Sequence, residues 1–231
     1  MRQATPYQFE QGEVLLIDKP LRWTSFDVVK KIRNLVYKYT QKKIKIGHAG
    51  TLDPLATGLL IVCTGKMTKQ IDSFQAQDKI YIGELCLGKT TPSYDAETEP
   101  NASFDIAHIT ETKIYETTKL FLGEIWQYPP IFSAIKQTGE PLYKLARKGK
   151  DIVTKARPVR IDNFEITQIA LPYVRFKVKC SKGTYIRSLA HDFGRALNAG
   201  AYLTALRRTH IGNFSVENAL TIEQLTQKLN T

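Results

Sequence analysis

Between Gly47 and Gly58 the chain reads GHAGTLDPLATG and holds a single carboxylate, Asp53, set between Leu52 and Pro54. A carboxylate can act as nucleophile or as general base, and glycines on either side permit close backbone approach to a ligand. By residue type alone, the commoner role for an aspartate in such a loop is an Asx-turn. The cysteines offer no rival chemistry. Cys63, Cys86 and Cys180 are far apart, each in an apolar or strand-like run, and form neither a CxxC pair nor a Cys/His ligand spacing. Neither a disulfide framework nor a metal site is expected.

Several elements must position that loop. Val14 to Asp18 predicts a short strand, and Thr24 or Ser25 caps a helix whose apolar face is Val28, Ile32, Leu35, Val36 and Tyr39. After the loop come a strand over Leu59 to Thr64, a short helix around Thr68 to Phe74 and a β run from Lys79 to Gly88. A helix is expected over Glu111 to Phe121. Pro129-Pro130, a strand-like Ile131 to Lys136, a Thr138-Gly139 turn and a short helix around Leu142 to Lys148 read as an insertion over about 127–157. Two β runs follow, Val159 to Ile169 and Tyr173 to Cys180. The second alternates Arg175, Lys177 and Lys179 with Val174, Phe176 and Val178, which predicts a cationic strand face. Thr184 is expected to open a helix reaching Asn198, Leu203 to Phe214 to be extended, and Thr221 with Gln224 to form a capping box for a last helix.

At 231 residues, 42% hydrophobic and 24% charged, the composition excludes a disordered chain, a collagen and a coiled-coil rod. Thirty-three Lys and Arg against 22 Asp and Glu give a net charge of +11, the electrostatic footprint of a polyanion binder. The charge is also clustered: seven basic residues and no acid lie between Lys30 and Lys45. Seven more face only Glu140 and Asp151 between Thr138 and Arg160. Nucleic acid is the partner class this predicts. The aliphatic stretches Val14 to Ile17 and Leu59 to Cys63 are far short of the ~20 residues that span a bilayer, and the N-terminus lacks the apolar core of a secretory signal. A cytoplasmic protein with no membrane partner is expected.

The string GHAGTLDPLATGLL, with Asp53 in the Leu-Asp-Pro position, resembles the catalytic loop of the bacterial tRNA pseudouridine synthase B family. KIYIGELCLG with TTPSYDAE, YPPIFSAIKQTGEPLYKLARKG, and CSKGTYIRSLAHDFGRAL with AYLTALRRTHIG resemble further segments of that family in the same order, from about Val14 to Ile211. Two departures stand out. The family's G-x-x-T-x-T-x-D stretch reads here Gly88, Thr91, Ser93 and Asp95, and the C-terminal RNA-binding domain of PUA type that longer members carry is not expected in this chain.

The resemblance implies an α/β (α+β) pseudouridine synthase fold in one catalytic domain over 1–231, with a mixed, largely antiparallel central sheet, flanking helices and an insertion that clasps RNA. It implies isomerisation of the T-loop uridine at tRNA position 55 to pseudouridine, with the T stem-loop as partner. No cofactor is demanded, no obligatory protein partner is expected and the enzyme is expected to act as a monomer. Asp53 matches the family's catalytic aspartate, Arg187 the arginine paired with it, and Tyr81 a tyrosine that stacks on the target uracil. Tyr185 and Leu206 match substrate-contacting positions, His48 a side chain that fills the space left by a flipped base, and Asp95 and Lys69 polar positions near the pocket. Lys144, Arg147, Lys148 and Lys150 in the insertion are expected on the RNA backbone. A non-catalytic RNA-binding module, and a synthase working with guide RNA and partner proteins, are the rival readings.

Overall fold

A computed structural model describes residues 7–133, 135–137, 139–148 and 152–230. They fall into two compact units, Met1–Tyr81 with Leu206–Thr231, and Ile82–Ala205. No helix among the described residues is long and apolar enough to cross a membrane.

The first unit opens with strand β1 (Val14–Lys19) and helix α1 (Ser25–Thr40). Thr24 caps α1 through a reciprocal pair with Asp27, its hydroxyl accepting from the Asp27 amide while the Asp27 carboxylate accepts from the Thr24 amide. Val28, Val29, Ile32, Leu35 and Val36 of α1 are buried against Leu15, Ile17, Leu60 and Val62, the face expected from the 3.6-residue period. Two strands flank the glycine loop, β2 (Ile46–His48) and β3 (Ala56–Thr64). Strand β2 is not foreseen from sequence, because three residues between a basic run and a glycine carry no period. They pair antiparallel to Val62–Thr64. The helix expected from Thr68 begins as a 3-10 turn, Gly65–Gln70, and continues as α2 (Ile71–Ala76). The chain leaves this unit within β4 (Lys79–Leu87).

In the second unit a small pair, β5 (Lys89–Thr90) and β6 (Ala102–Ser103), precedes α3 (Glu111–Lys119) and strand β7 (Gly123–Gln127). Short strands β8 (Lys136–Gln137) and β9 (Glu140–Pro141) and helix α4 (Leu142–Arg147) occupy the connection to β10 (Arg157–Ala170), which pairs antiparallel with β7. The strand expected over Ile131 to Lys136 is confined to Lys136–Gln137. Its carbonyls are used elsewhere: Ser133 and Ile135 accept from the Tyr143 and Leu142 amides at the start of α4. Strand β11 (Tyr173–Cys180) and helix α5 (Ile186–Ala196) follow, and β12 (Ala201–Ile211) carries the chain back into the first unit. Here the strand order is β12-β4-β11-β10-β7.

In the first unit the order is β1-β3-β12, with β2 on β3 and a short β13 (Phe214–Ser215) on β12. The β3–β12 pair is parallel and β1–β3 antiparallel, so the sheet is mixed and largely antiparallel, as expected. Thr221 and Gln224 form the expected capping box at the start of α6 (Ile222–Asn230), whose Leu225 and Leu229 join the core under α1. The cysteines are buried thiols, none of them in a disulfide.

Candidate active site

Asp53 lies half-buried in the turn between β2 and β3, its carbonyl accepting from the Ala56 amide at 3.0 Å. Its backbone neighbours are fastened on several sides. The Ser25 hydroxyl, at the start of α1, accepts from the Leu52 amide (2.9 Å) and donates to the Leu52 carbonyl (3.2 Å), and the Arg22 amide donates to the Pro54 carbonyl. Arg208, 1% exposed on β12, donates from Nε to the Leu59 carbonyl at 2.8 Å and from its terminal nitrogens to the Gly50 and Thr51 carbonyls at 3.1 and 3.5 Å. The guanidinium fork thus ties the loop to the strand that leaves it.

The glycines serve this packing. Gly58 has φ +102° and lies against the backbone of Arg208, where a Cβ would come within 2.3 Å of the Arg208 carbonyl oxygen. The sequence suggests glycines that make room for a ligand; at Gly58 the close approach is protein on protein.

A second buried cation, Lys19, ends β1. It is 0% exposed, its Nζ donates to the Pro20 and Trp23 carbonyls at 2.9 and 2.6 Å, and burial pulls its pKa down to about 8 while the negative charge of Asp53 pulls the other way. The first unit therefore holds an ammonium within electrostatic reach of the Asp53 carboxylate. Sequence reasoning misses both Lys19 and Arg208.

Four other expected residues belong to this unit. His48 closes β2, half-buried, with its imidazole pKa lowered by burial and by the charge of Arg208. Leu206, half-buried, pairs with Ala56, three residues beyond Asp53. Tyr81 is 8% exposed in β4, and Lys69 is exposed in the 3-10 turn.

The second unit organises Arg187, Asp95 and Tyr185. Arg187, 4% exposed in the first turn of α5, donates to the carbonyls of Ser93 (3.2 Å) and Phe132 (3.0 Å), and its Nε lies 3.6 Å from Asp95 Oδ2. The other Asp95 oxygen accepts from the Ser93 hydroxyl at 2.6 Å and from the Glu97 amide at 2.9 Å. The serine in place of the family's threonine therefore supplies the hydroxyl that holds this carboxylate. Thr184 does not cap α5, because its hydroxyl donates back to the Ser181 carbonyl. The chain entering α5 is held instead by Gln127, 1% exposed, whose side-chain amide accepts from the Tyr185 amide at 2.7 Å and donates to the Tyr185 carbonyl at 3.1 Å, two residues before Arg187.

In the insertion, Lys144 is exposed on α4, while Lys148 is paired with Glu140 at 2.6 Å. Lys150 and the side chain of Arg147 lie outside the described residues. Among the described residues no cluster of His, Cys, Asp and Glu could hold a metal ion.

The family description "TruB family pseudouridylate synthase (N terminal domain)" matches residues 37–186, and "tRNA pseudouridylate synthase B C-terminal domain" matches residues 187–231. Proteins named tRNA pseudouridine synthase B are similar over nearly their whole length. That of Flavobacterium johnsoniae is 56% identical, over 97% of this chain and 99% of that protein, and that of Phocaeicola vulgatus is 52% identical, over 96% and 95%. Among solved structures, a Cbf5-Nop10-Gar1 complex matches with a TM-score of 0.72 and 31% identity, and an H/ACA RNP bound to a substrate RNA containing 2'-deoxyuridine with 0.69 and 29%. The chain covers 95% of itself in both and spans about half of those chains, 54% and 53%. The fold is thus that of pseudouridine synthases. With the Leu-Asp-Pro loop clamped from α1 and β12 and the family's two parts matched end to end from residue 37, the chain belongs to the TruB family of pseudouridylate synthases.

Proposed function

We propose that this chain isomerises the T-loop uridine at position 55 of tRNA to pseudouridine, with Asp53 as the catalytic residue. The observation that carries the reading is a half-buried carboxylate on a loop fastened at residues 50, 51, 52 and 54, beside a buried ammonium, in a chain 56% identical to a tRNA pseudouridine synthase B. The reaction breaks the N1–C1′ bond, turns the uracil and joins C5 to C1′, while the C5 proton leaves and N1 gains one. Nothing is oxidised or hydrolysed. Asp53 acts by attack on ribose or base, or by removing the C2′ proton, and each route asks for an ionised carboxylate held without reorganisation. Lys19 favours that ionised form from within its own unit.

Arg187 is assigned as the cation of the reacting centre, with Asp95 as its positioning partner; the ion pair and the two backbone acceptors that fix the guanidinium support the assignment. Tyr81 is assigned to stack on the uracil and to deprotonate C5, with Tyr185 and Leu206 as walls and Lys69 as a polar neighbour. His48 is assigned to the space vacated by the flipped uridine, a role that suits an imidazole kept neutral by burial and by Arg208. The enzyme is taken to act in the cytoplasm as a monomer, on the T stem-loop, without an obligatory protein partner.

The test is tritium release from C5-labelled uridine in an unmodified tRNA transcript, with the modified position mapped. Wild type is expected to release tritium at one T-loop uridine. Asp53→Asn, nearly isosteric but neither nucleophilic nor basic, is expected to bind the transcript and release none. Release by the variant above a trace rate overturns the role of Asp53, and a modified site elsewhere overturns the substrate.

A further inference from the structure

The basic run from Lys30 to Lys45 takes no part in the site around Asp53. On α1 it turns a stripe to solvent: Phe26, Lys30, Arg33 and Tyr37 are all exposed, Phe26 at 61% and Tyr37 at 46%. At 3.6 residues per turn these four fall within about 60° of arc on the helix surface. The opposite face of α1 is filled by the core. The acid of α1, Asp27, is engaged by the amide and hydroxyl of Thr24, so it is tied to the cap at the end of the stripe. Cations alternating with flat aromatic faces suit a nucleic-acid strand, the cations meeting phosphates and the rings meeting sugars or unpaired bases.

The stripe's position gives it a definite ligand. Ser25, adjacent to Phe26, is the residue whose hydroxyl holds Leu52, the neighbour of Asp53. From there the stripe runs about 16 Å along the helix at 1.5 Å per residue. We infer that the exposed face of α1 is a phosphate-binding surface for the same tRNA whose uridine reacts at Asp53. This rests on the proposed function and adds to it a contact outside the reacting centre, in the unit that carries Asp53.

The test compares binding of an unmodified tRNA transcript across a salt series for the full chain and for Lys30→Gln with Arg33→Gln. Removal of two phosphate-binding cations should flatten the log–log salt slope by about 1.4 to 1.8. Phe26→Ala with Tyr37→Ala should weaken binding about tenfold or more with the slope kept. Lys113→Gln with Lys119→Gln removes the same charge from α3 and should leave the slope unchanged. An unaltered slope in the α1 variant, or equal flattening in the α3 variant, overturns the inference. Pseudouridine formation by wild type tests the proposed function independently, so the two failures are distinguishable.

Discussion

Lys19 and Arg208 are 0% and 1% exposed, and the hydrogen bonds that hold them run to backbone carbonyls. A buried cation is costly unless its donors are used, and here the donors set the shape of the chain around Asp53. Lys19 gives this a measurable sign. Its native pKa of about 8 lies below the ordinary 10.5, with burial as the main cause. Between those values the unfolded chain holds a proton that the native chain has released, so stability gains from this group as pH rises. Below about pH 8 both states are charged and the contribution is flat. Lys19→Met lacks the group. The stability of wild type relative to Lys19→Met, from urea denaturation, is therefore expected to be constant up to about pH 7.5 and to rise from pH 8 to pH 10; a constant difference throughout would contradict the buried, proton-releasing lysine.

Among the elements, strand β11 differs most from its sequence reading. Its alternation correctly places Val174, Phe176 and Val178 inward and Arg175, Lys177 and Lys179 outward. The outward row nevertheless has an acidic residue beside each cation. Arg175 Nε lies 2.9 Å from Glu84, Lys179 Nζ 3.8 Å from Asp162, and Lys177 stands opposite Glu165 in register. Cations beside acidic partners release few counterions when RNA binds, and Lys144 on α4 is exposed. In a salt series with unmodified tRNA, Arg175→Gln with Lys179→Gln is expected to leave the slope as it is, and Lys144→Gln alone to flatten it by about 0.7 to 0.9. The reverse ranking would move the RNA surface from the insertion to the sheet.

These elements also show what is legible in the sequence. Strand parity in β1 already points Lys19 inward with Leu15 and Ile17, so the signal is present, overridden by the habit of placing lysine in solvent. Arg208 cannot be read that way. β12 buries Ala201, Leu203, Arg208 and Ile211, a spacing of two, then five, then three, which carries no strand period. Asp53, Arg187 and Asp95 stand out through a long motif and not through periodicity, and the hold of Gln127 on the Tyr185 backbone depends on a partner 58 residues away. Local chemistry names a residue's options; a distant strand decides among them.

For the whole molecule, a net charge of +11 attracts any RNA, and over more than a Debye length of about 8 to 10 Å it cannot tell one tRNA from another. Selection must come from contact at the reacting base. RNA helices are read by shape and 2′-hydroxyls, and base identity is read in loops where bases can be splayed out. Asp53 stands on a loop fixed by its own unit, from Ser25, Arg22 and Arg208, so no part of that preorganisation waits for the distal body of the tRNA. An isolated, unmodified T stem-loop is therefore expected to be converted, with a saturating rate within about tenfold of the full transcript and a higher KM, since the tRNA body binds equally well in the ground and transition states. Because fewer phosphates are engaged, KM for the hairpin should also respond less steeply to salt than KM for the transcript. Steady-state assays of both substrates at two or three salt concentrations measure these quantities together. Hairpins that remain inert beside an active transcript would show that recognition of the tRNA body, and not of its loop, licenses the chemistry.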